Sequence, residues 1–312
     1  MSRSSQPPYH VRGRTVLITG AARGIGAATA ERLHAKGANV ALVGLEPGRL
    51  QELAERLGGE RATWVEADVT DFEAVQRAVQ HTVERFGGID VAIANAGLAF
   101  VGTLAAAPVE QVERTLAVNL LGVWRTDRAV IEQIVKSRGY LLNIASLSAV
   151  AHAPLMGPYT TTKAGVEALS DALRMETAPS GARVGCAYFG FIDTDLVRAS
   201  YAEDAARKLN ETTPAFLRDP IPLARAVDAI ERGIERRAAR LWAPRWVGAA
   251  IALRGVLQPL IERGTLRRQD ALVEAMRLAG EAQEGQAPHD PVLGVAARAL
   301  EPTPPTPERQ QQ

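Results

Sequence analysis

Several things are scarce in this 312-residue chain, and each scarcity excludes something. There is one cysteine, Cys186, so no intrachain disulfide can form and a reducing compartment fits. It lies in an apolar run that reads as a strand, where a buried thiol is inert packing. The five histidines, at 10, 34, 81, 152 and 289, show no paired spacing on a helix, so no metal site is expected. Neither charge sign dominates. Lys plus Arg number 36 against 35 Asp plus Glu, which gives no electrostatic footprint for nucleic acid. No uninterrupted apolar run reaches the ~18 residues of a membrane-spanning helix. The first residues, MSRSSQPPYHVRG, lack an apolar core, so no secretory signal is expected and the chain is assigned to the cytoplasm. With 46% hydrophobic and 23% charged residues, the composition is that of an ordinary globular protein.

What is present is an alternation. Residues 1–12 read as a flexible arm. Arg14 to Thr19 is a β-rich run, and a helical pattern follows until Gly37 stops it. Strands follow at Asn39–Val43, Arg61–Glu66, Ile89–Ala94, Gly139–Ala145 and Arg183–Tyr188. Helices are expected over Pro47–Leu57, Asp71–Phe86 with Asp71 as N-cap, Pro108–Ser137 and Gly157–Ala178. Less regular helix follows (Leu196–Asn210 and Ile221–Arg237), then a last strand at Arg240–Ala243. Apolar strands alternating with amphipathic helices specify an α/β doubly wound parallel sheet, a single domain over 13–243. A helical extension over 244–279 and a Pro-, Gly- and Gln-rich tail over 280–312, expected to be disordered, complete the chain.

Two stretches carry chemistry. Gly20-x-x-x-Gly24-x-Gly26 stands between the first strand and first helix, the context in which glycines admit a pyrophosphate to a helix N-terminus. Further on, Tyr159 and Lys163 are four residues apart and share a helix face, with Ser146 upstream at a strand end. A free phenol titrates near ~10 and is a poor acid–base at neutral pH; a neighbouring ammonium pulls it toward the working range. A Tyr-x-x-x-Lys pair alone is most often a solvated helix face, so its meaning rests on its company.

That company resembles the short-chain dehydrogenases/reductases. Thr19-Gly20-Ala21-Ala22-Arg23-Gly24-Ile25-Gly26, Asp68-Val69, Asn95-Ala96-Gly97, Asn119, Ser146, Tyr159 and Lys163 fall in that family's order and spacing across about 13–243. The resemblance implies an NAD(P)-binding Rossmann fold and an oxidoreductase interconverting a carbonyl and a secondary alcohol. It implies Tyr159 as acid–base, Lys163 lowering its pKa and binding the nicotinamide ribose, and Ser146 orienting the substrate oxygen. Asn119 would hold a water that relays protons to Lys163. Asp68 and Val69 would flank the adenine, and Asn95, Ala96 and Gly97 would shape the strand end beneath the cofactor. Gly190, Ile192 and Thr194 keep the family's places after the sixth strand, with Ile192 and Thr194 near the carboxamide. The family also implies a homodimer or homotetramer built through the helices Pro108–Ser137 and Gly157–Ala178.

The chain departs from the family at Phe189, which stands where proline is usual: it either packs as core or walls the substrate site. An acidic residue at the second strand's end takes the ribose of NAD. Here Gly44 holds that place, with Leu45 and Glu46 after it, and Arg23 can pair with a 2′-phosphate. NADP(H) is therefore expected over NAD(H). His152, between Ser146 and Tyr159, is read as an exposed loop residue rather than a substrate contact. The apolar stretch Trp246–Ile261, with Trp242 and Arg263, Arg267 and Arg268, either packs over the substrate pocket or another subunit or lies at a membrane interface through 242–268. Apolar Phe189, Phe191 and Leu196 point to a hydrophobic small-molecule substrate. The alternatives are a non-catalytic dinucleotide sensor or scaffold, which the presence of both Tyr159 and Lys163 disfavours, and an epimerase or dehydratase on the same scaffold.

Overall fold

The structure, a computed structural model, describes residues 8–195, 197–198, 204–211 and 219–284. Seven strands, β1 (Thr15–Thr19), β2 (Asn39–Gly44), β3 (Ala62–Glu66), β4 (Val91–Ala94), β5 (Tyr140–Ile144), β6 (Arg183–Phe189) and β7 (Arg240–Ala243), form one parallel sheet in the order β3-β2-β1-β4-β5-β6-β7. Strands β1, β2, β4, β5 and β6 read as nearly unbroken apolar runs because both faces are buried, whereas β3 and β7, at the sheet edges, are partly exposed. Val16 and Ile18 join one core with Val40, Leu42, Val91 and Ile93, while Leu17, Ala41 and Ala92 join the other. Helices α1 (Gly24–Ala35), α2 (Pro47–Arg56) and α8 (Leu223–Arg236) cover the first face. Helices α3 (Phe72–Phe86), α5 (Gly122–Lys136) and α6 (Gly157–Thr177) cover the second. Asp71 caps α3 as expected, accepting the Ala74 N–H at 3.1 Å. Successive strands step one way from β1 to β3 and the other way from β4 on. The crevice between the carboxyl ends of β1 and β4 is thus the switch point where open α/β sheets bind ligands.

Three expectations are corrected. The helix expected over Pro108–Ser137 is α4 (Val109–Leu116), a π-helical turn (Ala117–Leu121) and α5. One widened turn leaves no residue-type signature, so the apolar pattern reads as continuous. Second, the arm is fixed from Tyr9 onward. The Tyr9 N–H donates to Glu235 O at 2.7 Å, and its ring lies 4.1 Å from the Arg14 guanidinium and 5.1 Å from that of Arg237. Polar neighbours mask this single aromatic anchor in the sequence; residues 1–7 lie outside the described residues. Third, the extension comprises α9 (Val247–Ala252), α10 (Arg254–Leu266) and α11 (Gln269–Glu284), so helix continues past Gly280. The tail beyond 284 lies outside the described residues, as does Leu196; α7 (Asp204–Glu211) occupies part of the expected 196–210 helix. No described helix is long and apolar enough to cross a membrane.

Candidate active site

At the switch point the glycine loop is tied to the exit of β4. Thr19 Oγ1 accepts the N–H groups of Asn95 (3.0 Å) and Ala96 (3.2 Å), and Asn95 Nδ2 donates to the carbonyls of Thr19 (2.9 Å) and Gly20 (3.1 Å). This closeness accounts for two of the glycines. A Cβ on Gly20, whose φ is +65°, would stand 2.8 Å from Ala96 Cα, and one on Gly26 would stand 2.7 Å from Asn95 Nδ2. Gly24 differs: its φ is +57°, and among the described residues a Cβ there would meet only the Thr194 side chain, at 3.7 Å. The space a pyrophosphate needs therefore opens at Gly24, at the N-terminus of α1, which no side chain caps. Ile25 packs against the first core beneath it. A Cβ on Gly97 would lie 3.3 Å from Asn119 Oδ1 and 3.7 Å from Lys163 Nζ, so this glycine keeps the floor of the crevice open. These features fit a dinucleotide.

Around the sheet edge, Asp68 Oδ1 accepts the Thr70 N–H at 2.8 Å and is occupied in its own turn. Val69 is buried against Gly122, where a Cβ would come within 2.7 Å of Val69 Cγ2. Arg23 and Glu46 form an ion pair at 2.6 Å across the glycine loop, with the Arg23 side chain 56% exposed. The cation expected for a 2′-phosphate thus already has a carboxylate beside it.

The four residues of the catalytic expectation converge from three elements. Asn119, fully buried in the π turn, grips the chain leaving β4 twice: its Oδ1 accepts the Leu98 N–H (2.6 Å) and its Nδ2 donates to Leu98 O (2.8 Å). π turns recur at functional sites because they turn a side chain out of helical register. Ser146 follows β5 and caps the short turn Leu147–Ala149, its Oγ accepting the Ser148 N–H at 3.1 Å. Tyr159 and Lys163 occupy the first two turns of α6. Lys163 is buried and donates to Ile144 O at 2.9 Å, with Nζ 5.6 Å from the Tyr159 ring centre. Burial holds the Tyr159 phenol above its ordinary value, and the neighbouring Ser146 hydroxyl offsets only part of that rise. Burial lowers Lys163 to about 8. The ammonium donates to a backbone carbonyl and makes no hydrogen bond to the phenol, so its effect on Tyr159 is that of a charge 5.6 Å from the ring centre.

After β6 the chain settles the question of Phe189, whose ring is buried in the first core and does not wall the site. Ile192 packs in the same core, and its bridge to Ile221 holds the loop down. Gly190 donates its N–H to Ala243 O at 2.9 Å, and a Cβ there would crowd Pro244 at 3.1 Å. Thr194, buried, faces Gly24 across the crevice. His152 is exposed, as expected.

Sequence reasoning missed Leu155, Glu167 and Gln258. Leu155, in the segment before Tyr159, has a left-handed φ of +64° that costs about 1–3 kcal/mol in a non-glycine residue, and such strain gathers at functional sites. Glu167 lies one turn past Lys163 and is 6% exposed. Only its i, i+4 spacing from Lys163 signals it in the sequence. Among the described residues no group of His, Cys, Asp and Glu could hold a metal ion.

The short chain dehydrogenase family matches the chain over residues 14–205. A curated relative, oxidoreductase UcpA of Salmonella typhimurium, is 34% identical over 229 residues, covering 71% of this chain and 85% of that protein. Among solved structures, an alcohol dehydrogenase of the archaeon Thermococcus sibiricus complexed with 5-hydroxy-NADP superposes with a TM-score of 0.62 at 26% identity, covering 73% of this chain and 95% of that one. A short chain dehydrogenase/reductase of Burkholderia phymatum in complex with NAD shares the fold, with a TM-score of 0.70 at 22% identity over 79% of this chain and 94% of that one.

Proposed function

This chain belongs to the short chain dehydrogenase family of oxidoreductases, and on that premise we propose that it interconverts a secondary alcohol and its carbonyl through Tyr159, Ser146, Lys163 and Asn119. The observation that carries the reading is the buried Lys163, bonded to Ile144 O at the end of β5 immediately before Ser146, with its Nζ 5.6 Å from the Tyr159 ring centre and next to the switch-point crevice. A bound nicotinamide dinucleotide supplies or accepts the hydride. Tyr159 gives a proton to the carbonyl oxygen on reduction and takes it from the hydroxyl on oxidation. Ser146 orients that oxygen. The positive charge of Lys163 favours the phenolate, and Asn119 fixes the floor of the crevice through which Lys163 exchanges its proton with water.

The test is oxidation of secondary alcohols, cyclohexanol and 2-octanol among them, followed by reduced-nicotinamide absorbance. Tyr159→Phe should lower turnover by roughly 10²–10⁴-fold while coenzyme binding persists. Unchanged turnover would remove Tyr159 from the mechanism. Val101, Leu155 and Met276 cluster beside the segment before Tyr159 and support an apolar substrate.

For the coenzyme, the reading is NADP(H) over NAD(H). Gly44 puts no acid at the end of β2, and an exposed pair such as Arg23–Glu46 is worth only about 0–1 kcal/mol, so a dianionic 2′-phosphate can draw Arg23 from it. A higher kcat/KM with NAD(H) would reverse the assignment. Assembly into a homodimer or homotetramer through α5 and α6 is supported by exposed Leu121, Trp124 and Met175 on them or at their ends.

A second reading concerns the extension. Helix α10 turns Arg254 and Gln258 toward the body and leaves Leu253, Val256 and Leu260, at i, i+3 and i+7, 61%, 62% and 56% exposed. Exposed Arg263 and Arg267 continue this apolar stripe, a combination suited to an anionic bilayer surface. Phosphatidylserine vesicles should pellet the chain, and Leu253→Ser with Val256→Ser and Leu260→Ser should abolish pelleting; equal pelleting of both would refute the contact.

A further inference from the structure

The inward side of α10 touches the catalytic elements at two points one helical turn apart. Arg254 forks onto Glu167 of α6, Nη2 to Oε1 at 2.6 Å and Nη1 to Oε2 at 3.0 Å, and the Tyr188 phenol donates to the same Oε1 at 2.8 Å. Glu167 is nearly inaccessible and shares the helix face of Lys163. Gln258 reads the backbone of His152 in both directions, its Oε1 accepting the N–H at 2.9 Å and its Nε2 donating to the carbonyl at 3.4 Å. His152 lies midway between Ser146 and Tyr159. A third grip comes from α11, whose Ala275 and Ala279 share an apolar cluster with Leu155. Leu155 is the residue with left-handed φ, and its carbonyl accepts the Gly102 N–H at 2.8 Å. A non-glycine residue keeps such a conformation only where its surroundings over-determine it.

We propose that the C-terminal extension clamps the substrate site, with Arg254 and Gln258 as positioning residues that hold segment 149–158 and the catalytic helix in one arrangement. The proposal rests on the reading that Ser146 and Tyr159 flank the substrate. Segment 149–158 joins them, so its conformation sets where the substrate's non-reacting part lies. The glycine loop and the exits of β1 and β4 form the coenzyme crevice, which among the described residues α6 meets only through Lys163, and none of the clamp's contacts is to Lys163. The clamp therefore acts on substrate binding and leaves coenzyme binding alone.

The test uses the full chain carrying Glu167→Gln, Arg254→Met and Gln258→Leu together, which removes the polar grips without leaving a buried charge unpaired. Gln258→Leu alone is the milder companion. Amide hydrogen exchange over 149–158 should quicken at least fivefold in the triple variant. KM for 2-octanol or cyclohexanol should rise about tenfold, with kcat within threefold and the coenzyme Kd within twofold of wild type. Unchanged exchange overturns the clamp, as does faster exchange without a rise in KM, or a coenzyme Kd that weakens in parallel. Tyr159→Phe run alongside keeps the two readings separable: if it retains turnover, the catalytic assignment fails whatever the clamp variants do.

Discussion

Asp127→Asn offers the clearest physical test of the structure. Asp127 lies on α5, 4% exposed, between β5 and α6. Its Oδ2 accepts from Asn143 Nδ2 at 2.8 Å, that amide also donates to Ser170 Oγ at 3.1 Å, and Asp127 Oδ1 has no hydrogen-bond partner among the described residues. Burial pushes the carboxyl up to about 8 from 3.8, against the opposing pull of the Asn143 bond. The folded chain therefore holds a proton that the unfolded chain releases above about pH 4. The sign follows from linkage: stability from this group is fully present below the unfolded value, declines as pH rises, and is lost once pH passes about 8. Four pH units at ~1.4 kcal/mol each set a ceiling on the order of 5 kcal/mol. Asparagine keeps the shape, supplies a donor like the protonated acid and cannot ionise. Urea unfolding of both proteins from pH 4 to 9.5 should show near-equal stability at the acid end. The variant's advantage should grow to several kcal/mol by about pH 8 and then stay constant. Parallel curves across that range would refute a buried neutral Asp127.

Lys163→Met should abolish efficient turnover yet raise stability by about 1–3 kcal/mol at pH 7, because burial holds the folded ammonium at about 8 against 10.5 unfolded. The penalty for burying that charge is full below about pH 8 and vanishes above about 10.5, so melts at pH 7 and pH 11 should differ in the sign or size of the gain. Gly26→Ala places a methyl onto the Gly20 carbonyl and Asn95 and should destabilise the fold by about 1–3 kcal/mol or more. Gly24→Ala should cost only about 1 kcal/mol in thermal unfolding, from its left-handed φ, while weakening coenzyme binding several-fold in a fluorescence titration. Trp124→Glu, on the exposed face of α5, should shift the chain to a smaller species by light scattering; an unchanged mass would place assembly elsewhere.

The parallel sheet was legible because its inner strands are buried on both faces and therefore read as apolar runs, while the edge strands β3 and β7 keep enough apolar residues to be recognised. Every expected strand through β7 appears within two residues of its predicted limits. Tyr159, Lys163 and Ser146 were legible for a different reason: their residue types are unusual in combination, and their spacing survives translation into a helix and a strand end. The glycines were legible in position but not fully in purpose. Gly20 and Gly26 are needed for the approach of the loop to Asn95 and Ala96, a contact with a strand many residues away that no local pattern reveals. The π turn at Asn119 and the anchoring of Tyr9 were hidden likewise, the first because a widened turn carries no composition and the second because Arg237 reaches Tyr9 only after folding.

Arg254 carries the same lesson furthest. Along the sequence it interrupts an apolar stretch and looks like a break. In the fold it is the attachment point, and Leu253, Val256 and Leu260 are the residues left outside. Hydrophobic burial alone would have turned the helix the other way, since each of those side chains forgoes about 1.5–3 kcal/mol by staying exposed. The Arg254–Glu167 pair cannot repay that, because the Arg254 side chain is 44% exposed, where solvent screens the attraction, and the Glu167 carboxylate is desolvated. What the pair does supply is geometry: two parallel N–H···O bonds and the Tyr188 phenol fix one rotation of α10 against α6, where packed aliphatic side chains would accept several. That rotation delivers Gln258 to His152. A helix oriented by its polar face, at the expense of burial, is one selected for where it puts its contacts, and those contacts converge on the segment between Ser146 and Tyr159.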